Sequence, residues 1–173
     1  MRVRCEPALA MLALVACGGH GARGAVALPP VPVEGPARDV RALAGSWRGE
    51  FVSETGLQRG VIAFDLPRGR DTAYGHVVFS GPMPPPGCTD AVSSATEPRE
   101  PTETVLALAR VTVGGSSVGG WLESYRDPRL GCPVDTWFEG TIQGDTLGGM
   151  YFTHPADTAA TVRLGTWWAA RTR

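Results

Sequence analysis

The sequence predicts an all-β protein, an eight-stranded antiparallel up-and-down barrel. Three observations carry the prediction. Beyond residue 42 the chain alternates short runs rich in Val, Thr, Phe, Tyr and Trp with turn signals. No window there holds a sustained helical period between caps. Strand-like runs in direct succession suggest a meander, and closing a meander removes both exposed edges.

The first strand is expected over residues 47–53, followed by the loop SETGLQR. The second, 60–66, ends in PRGRDT, and the third, 73–80, in the long GPMPPPGCTDAVSSATEPREP. The fourth, 102–113, turns at GGSS, and the fifth, 118–126, runs into DPRLGCPVD. The sixth, 136–143, turns at Gly144-Asp145 into the seventh, 146–154; PADTAA then leads to the eighth, 161–171. Alternate loops of such a barrel share an end. The longer loops therefore form a mouth. PRGRDT, GGSS and GD lie at the other end, with the entry to the first strand. Helix is confined to about one turn near Val40 to Leu43.

One hairpin can be put in register. A two-residue Gly-Asp turn sets Gln143 opposite Thr146, Ile142 opposite Leu147, Gly140 opposite Gly149 and Phe138 opposite Tyr151. One face then carries Phe138, Gly140, Ile142, Leu147, Gly149 and Tyr151, without charge. It is the better interior candidate, so Phe138, Ile142, Leu147 and Tyr151 are expected to line the barrel. The other face mixes Glu139 with Trp137, Met150 and Phe152. It suits a partner-binding patch, or a cavity lining if the faces are inverted.

Composition bounds the function. A formal net charge of -1 and a pI near 6.3 give no electrostatic footprint for nucleic acid. Arg2 and Arg4 precede an apolar stretch over residues 8–16, the pattern of a secretory signal and too short to span a bilayer. Residues 18–42 are rich in Gly, Ala and Pro and are read as a flexible tether. Ala25-Val26-Ala27 offers an ordinary cleavage site, but it lies far from the end of the apolar stretch.

The apolar stretch closes on Leu14-Val15-Ala16-Cys17, which resembles the lipobox of bacterial lipoproteins. The resemblance implies a signal peptide over 1–16, lipid (palmitate included) on Cys17, a tether over 17–42 and a barrel domain over 43–173. Gly18, where Asp would signal retention, implies the outer membrane, with the protein facing the periplasm and touching membrane only through its anchor. In that oxidising compartment the remaining pair, Cys88 and Cys132, is expected to form a disulfide. Both fall in mouth loops. Closing that loop stabilises by roughly 4 kcal/mol in the chain-entropy model.

Catalytic patterns are absent from the sequence. No G-x-S-x-G elbow, phosphate loop or metal-ligand spacing occurs. His76 and His154 are read as hydrogen-bonded wall residues. Glu123 and Glu139, beside Trp121 and Trp137, suggest paired glycosidase carboxylates only at a distance, and solvated outer-face glutamates account for them. The expectation is therefore a protein that is not an enzyme and uses no cofactor.

Gly45-Ser46-Trp47 opens the first strand and Trp167-Trp168-Ala169-Ala170-Arg171 closes the last. This arrangement resembles the calycin pattern of lipocalins, fatty-acid-binding proteins and avidin-like barrels, over residues 43–172. The resemblance implies that Trp47 packs at the closed end with Arg171 across it. The acidic-Gly turn signature of lipocalins and a biotin site are not present in the sequence. The fold transfers by this likeness and a ligand identity does not. Function is expected to be binding of a small hydrophobic or amphipathic ligand. The rival is a solid barrel that docks an envelope partner. Interior volume separates the two.

Overall fold

The computed structural model describes residues 29–172 except 57, 82–101, 128–131 and 156–162. The expected signal peptide, the lipidation residue Cys17 and the bridge partner Cys88 lie outside the described residues. The chain runs β1 (Pro30–Glu34), α1 (Ala37–Leu43), β2 (Gly45–Ser53), β3 (Arg59–Leu66), β4 (Thr72–Gly81) and β5 (Thr102–Gly114). It continues through β6 (Ser117–Leu122), β7 (Tyr125–Arg126), β8 (Pro133–Gln143), β9 (Thr146–Pro155) and β10 (Arg163–Arg171).

These strands form one sheet in the order β6-β5-β1-β4-β3-β2-β10-β9-β8-β7, and pairing of β6 with β8 closes it into a barrel. The eight runs expected from sequence supply β2, β3, β4, β5, β6 with β7, β8, β9 and β10. The strand count nevertheless needs correcting. The barrel has nine strands, with the short β7 as an extra strand on β8. The sheet is mixed rather than wholly antiparallel, because β1 runs parallel to β5. The run expected over 118–126 is split at Glu123–Ser124, where the Glu123 N–H turns to the Ala107 carbonyl.

The ninth strand comes from the stretch read as tether. Pairing of β4 with β5 stops at His76–Ala107, and β1 fills the seam below. It pairs with β4 at Tyr74 to Thr72 and with β5 at Val111 and Thr112. Val31 and Val33 turn inward and are buried, and Pro30, Pro32 and Glu34 turn outward. Proline has no N–H to give a ladder. The donors of this segment are therefore on Val31, Val33 and Glu34, and Val33 N–H reaches the Asp71 carbonyl at 2.7 Å. From Pro30, beside Tyr74, β1 runs toward the start of β4 at Thr72.

After β1, α1 packs across the floor. Val40 and Leu43, three residues apart, present one apolar face to the core. Asp39 is buried, and its Oδ2 accepts the Gly115 N–H at 2.9 Å, which ties the helix to the β5–β6 turn.

The Gly144-Asp145 hairpin has the expected register: Gln143 faces Thr146, Ile142 faces Leu147, Gly140 faces Gly149 and Phe138 faces Tyr151. Gly144 has φ +62°, the backbone a tight two-residue turn requires.

Candidate functional site

At the floor the structure brings Trp47 and Arg171 together. Trp47 is fully buried, and its indole N–H donates to the Leu43 carbonyl at 2.8 Å. The Arg171 guanidinium lies over the indole, 4.2 Å from its centroid. Nη1 donates to the Ala44 carbonyl, Nη2 to the Ala42 carbonyl at 2.9 Å, and Nε to Asp145 at 2.9 Å. One side chain thus ties the end of β10 to the helix, to the start of β2 and to the β8–β9 turn. Gly45 makes this possible. A Cβ there would sit 2.6 Å from Arg171 Nη1, and its φ of +129° suits glycine alone.

Above the floor lies a cavity of about 110 Å³. Phe138, Leu147 and Tyr151 line it, and Ile142 packs against the same core. The uncharged face of the hairpin is thus the inner one. The outer face carries Glu139, exposed, and a row in which Trp121 lies opposite Trp137 and Trp137 opposite Phe152. Trp137 and Phe152 stack at 5.1 Å, and Arg110 sits 4.4 Å over Trp121. Glu123 is exposed beyond the end of β6.

The cavity also holds a polar cluster that the sequence reading did not single out. Tyr125, Thr136 and Thr153 line it toward the mouth. Tyr125 Oη and Thr136 Oγ1 are 3.2 Å apart, and Thr136 Oγ1 and Thr153 Oγ1 are 2.9 Å apart. Both threonines are buried. The hairpin register carried the signal. One further step inward from Phe138–Tyr151 pairs Thr136 with Thr153 on the same face. Burial pushes the Tyr125 phenol up, and the Asp127 charge adds to this against the hydrogen bond with Thr136 and the nearby Thr153 hydroxyl, so it remains an O–H donor.

Of the bridge candidates, Cys132 is described, buried beside Val134 and Tyr125 at the mouth end.

No protein-family model matches this chain, and no curated protein matches it. The closed β-barrel is compatible with a calycin-like fold.

His76 lies on the outer face of β4, between Ala63 and Ala107. Its Nδ1 is buried without a hydrogen-bond partner among the described residues, unlike the hydrogen-bonded wall histidine expected from the sequence. Desolvation holds its pKa below the ordinary 6.5, and the charge of Arg48 acts the same way. The folded state therefore favours the neutral ring. Its stabilising effect is complete above pH 6.5 and is lost as pH falls below that value toward the lower folded pKa. Urea midpoints should fall more steeply between about pH 7 and 5 in the wild type than in His76→Phe. Parallel slopes would remove His76 from the account.

Proposed function

We propose that this protein is a non-catalytic binder of a small, predominantly apolar molecule, held inside a calycin-like barrel. The observation that supports it is the cavity itself. A volume of about 110 Å³ is well above a packing defect. It is of the order of the ~150 Å³ apolar cavity that stays dry and takes up benzene. The lining is almost wholly aliphatic and aromatic, with a few hydroxyls and the Gln58 amide, as small-molecule sites are built. The volume suits a one-ring molecule rather than a long acyl chain.

Trp47 and Trp167 line the cavity and report on its contents. Toluene at one hundred times its Kd should stabilise the fold by about 2.7 kcal/mol and alter tryptophan emission. Val77→Phe and Leu106→Phe each project a ring into the same space and should abolish both effects. Extracts of the native protein should yield a co-purifying small molecule by mass spectrometry. Consistently empty protein together with no response to toluene would sink this reading.

The surrounding biology is proposed on the sequence motifs. The protein is an outer-membrane lipoprotein of a bacterial envelope, anchored through Cys17 and facing the periplasm, with a Cys88–Cys132 bridge across its mouth. Palmitate labelling of Cys17→Ser and thiol titration before and after reduction test these two assignments.

One observation favours the second reading, a barrel that docks a protein partner. Trp121, Trp168 and Met150 stand exposed on the outer wall, in or near the aromatic row. An empty cavity combined with specific partner capture, lost in Trp121→Ala, would favour it.

A further inference from the structure

We propose that the cavity selects a neutral ligand bearing one hydroxyl or carbonyl on a compact apolar body, and that the Tyr125–Thr136–Thr153 cluster holds that polar group. The proposal rests on the cavity reading above and adds the ligand's chemistry to it. Four features lead there. First, the described lining residues include no Arg, Asp, Glu or His, and apart from hydroxyls and the two indoles their one polar side chain is the neutral Gln58 amide, so no charge in the wall compensates an ionic group. An unpaired buried carboxylate is far too costly to bind there.

Second, the two indole N–H groups of the lining are already occupied. Trp47 donates to Leu43. Trp167 donates to the carbonyls of Glu139 and Met150, at 3.2 and 3.1 Å. Third, the hydroxyl cluster has capacity to spare. Three hydroxyls carry three O–H donors and twice as many lone pairs. The two bonds within the cluster use two donors. Among the described residues one O–H and several lone pairs remain, so the cluster both donates and accepts. A ligand hydroxyl uses either role and a carbonyl uses the first.

Fourth, the placement is polarised. The hydroxyls lie at the mouth end, whereas Trp47, Leu147 and Ala169 line the floor end. A bound molecule is thereby oriented, apolar body down and polar group up.

Three probes of one shape test this at pH 7: toluene, 4-methylphenol and 4-methylbenzoate. Their affinities are read by calorimetry and by tryptophan emission. In the wild type, 4-methylbenzoate should bind at least about 100-fold more weakly than 4-methylphenol, since burial of its charge is uncompensated. The variant Thr136→Val with Thr153→Val keeps shape and removes two hydroxyls. It should weaken 4-methylphenol by about 3- to 10-fold relative to toluene, the worth of one hydrogen bond. Toluene affinity should be retained, which also shows that the variant is folded. Tyr125→Phe, a smaller change, should shift the ratio in the same direction if the double variant does not fold.

Toluene binding with an unchanged ratio in both variants would overturn the hydroxyl assignment and leave the cavity reading standing. Tight binding of 4-methylbenzoate would overturn the neutrality. Failure of all three probes on the wild type would overturn the cavity reading and this inference with it.

Discussion

Replacing Trp47 with alanine is expected to lower the free energy of unfolding by about 3–5 kcal/mol, the range for truncating a large buried aromatic. Trp47 is the largest fully buried side chain in the described fold. The ring is covered on one side by Arg171 and its N–H is fixed by Leu43. Truncation leaves the Leu43 carbonyl without that donor and the guanidinium without its platform. Arg171→Ala acts on the same unit from the other side. It removes a stacked cation worth about 0.5–1 kcal/mol at a semi-exposed site. It also removes hydrogen bonds to Ala42 and Ala44, each worth about 0.5–1.5 kcal/mol net. The ion pair with exposed Asp145 adds little. Because the two residues touch, the losses should not add. In the Trp47→Ala background, Arg171→Ala should cost less than in the wild type by about 0.5–1 kcal/mol, the cation–π share. Arg171→Lys should not restore the loss, since an ammonium cannot serve the indole face and two carbonyls in one plane. Urea denaturation of the four proteins measures the cycle. Strict additivity would show that the pair is adjacent but uncoupled.

The parts of this fold that were legible in the sequence share one property: each is stated by alternation within a short window. Phe138, Ile142, Leu147 and Tyr151 occupy one parity of a hairpin, and Gly144-Asp145 fixes where the parity reverses. No distant contact is needed to read it. Trp47 and Arg171 were legible for another reason. A glycine two residues before a tryptophan and an arginine at the chain's last strand are distinctive types at distinctive places. What was not legible depends on partners far away in the chain. Val31 and Val33 alternate as a strand should, but Pro30, Pro32 and Pro36 around them read as coil. Their strand exists because β4 and β5 diverge below His76–Ala107 and leave a seam one strand wide. The split of 118–126 into β6 and β7 likewise follows from a bond between Glu123 and Ala107, outside any local window. The hydroxyl cluster lay between these cases. Thr136 and Thr153 follow from the hairpin register, but Tyr125 joins them only through the pairing of β7 with β8.

Deleting residues 30–43 is therefore expected to destroy cooperative folding, the opposite of what removal of a tether would do. The segment places Val31, Val33 and Leu43 in the core, at 0%, 4% and 1% exposure. Full burial of each such side chain is worth roughly 1.5–3 kcal/mol. Against a typical total of about 5–15 kcal/mol, their combined loss is most of the stability. The backbone consequences point the same way. Without β1, Thr72 to Tyr74 and Val111 to Thr112 lose their partners, and the barrel wall opens along an unprotected edge. Without α1, the Trp47 N–H loses Leu43, Gly115 loses Asp39, and Arg171 loses the Ala42 carbonyl. A graded series separates packing from closure. Leu43→Ala should cost about 2–5 kcal/mol and leave a cooperative transition. Val31→Asp puts a charge into the seam itself and should behave nearly like the deletion. Circular dichroism and urea unfolding read the series. If the deleted chain unfolds cooperatively at an unchanged midpoint, then β1 and α1 merely decorate a barrel that closes without them. If it does not, the closed wall is made by the very residues whose composition most resembles a linker.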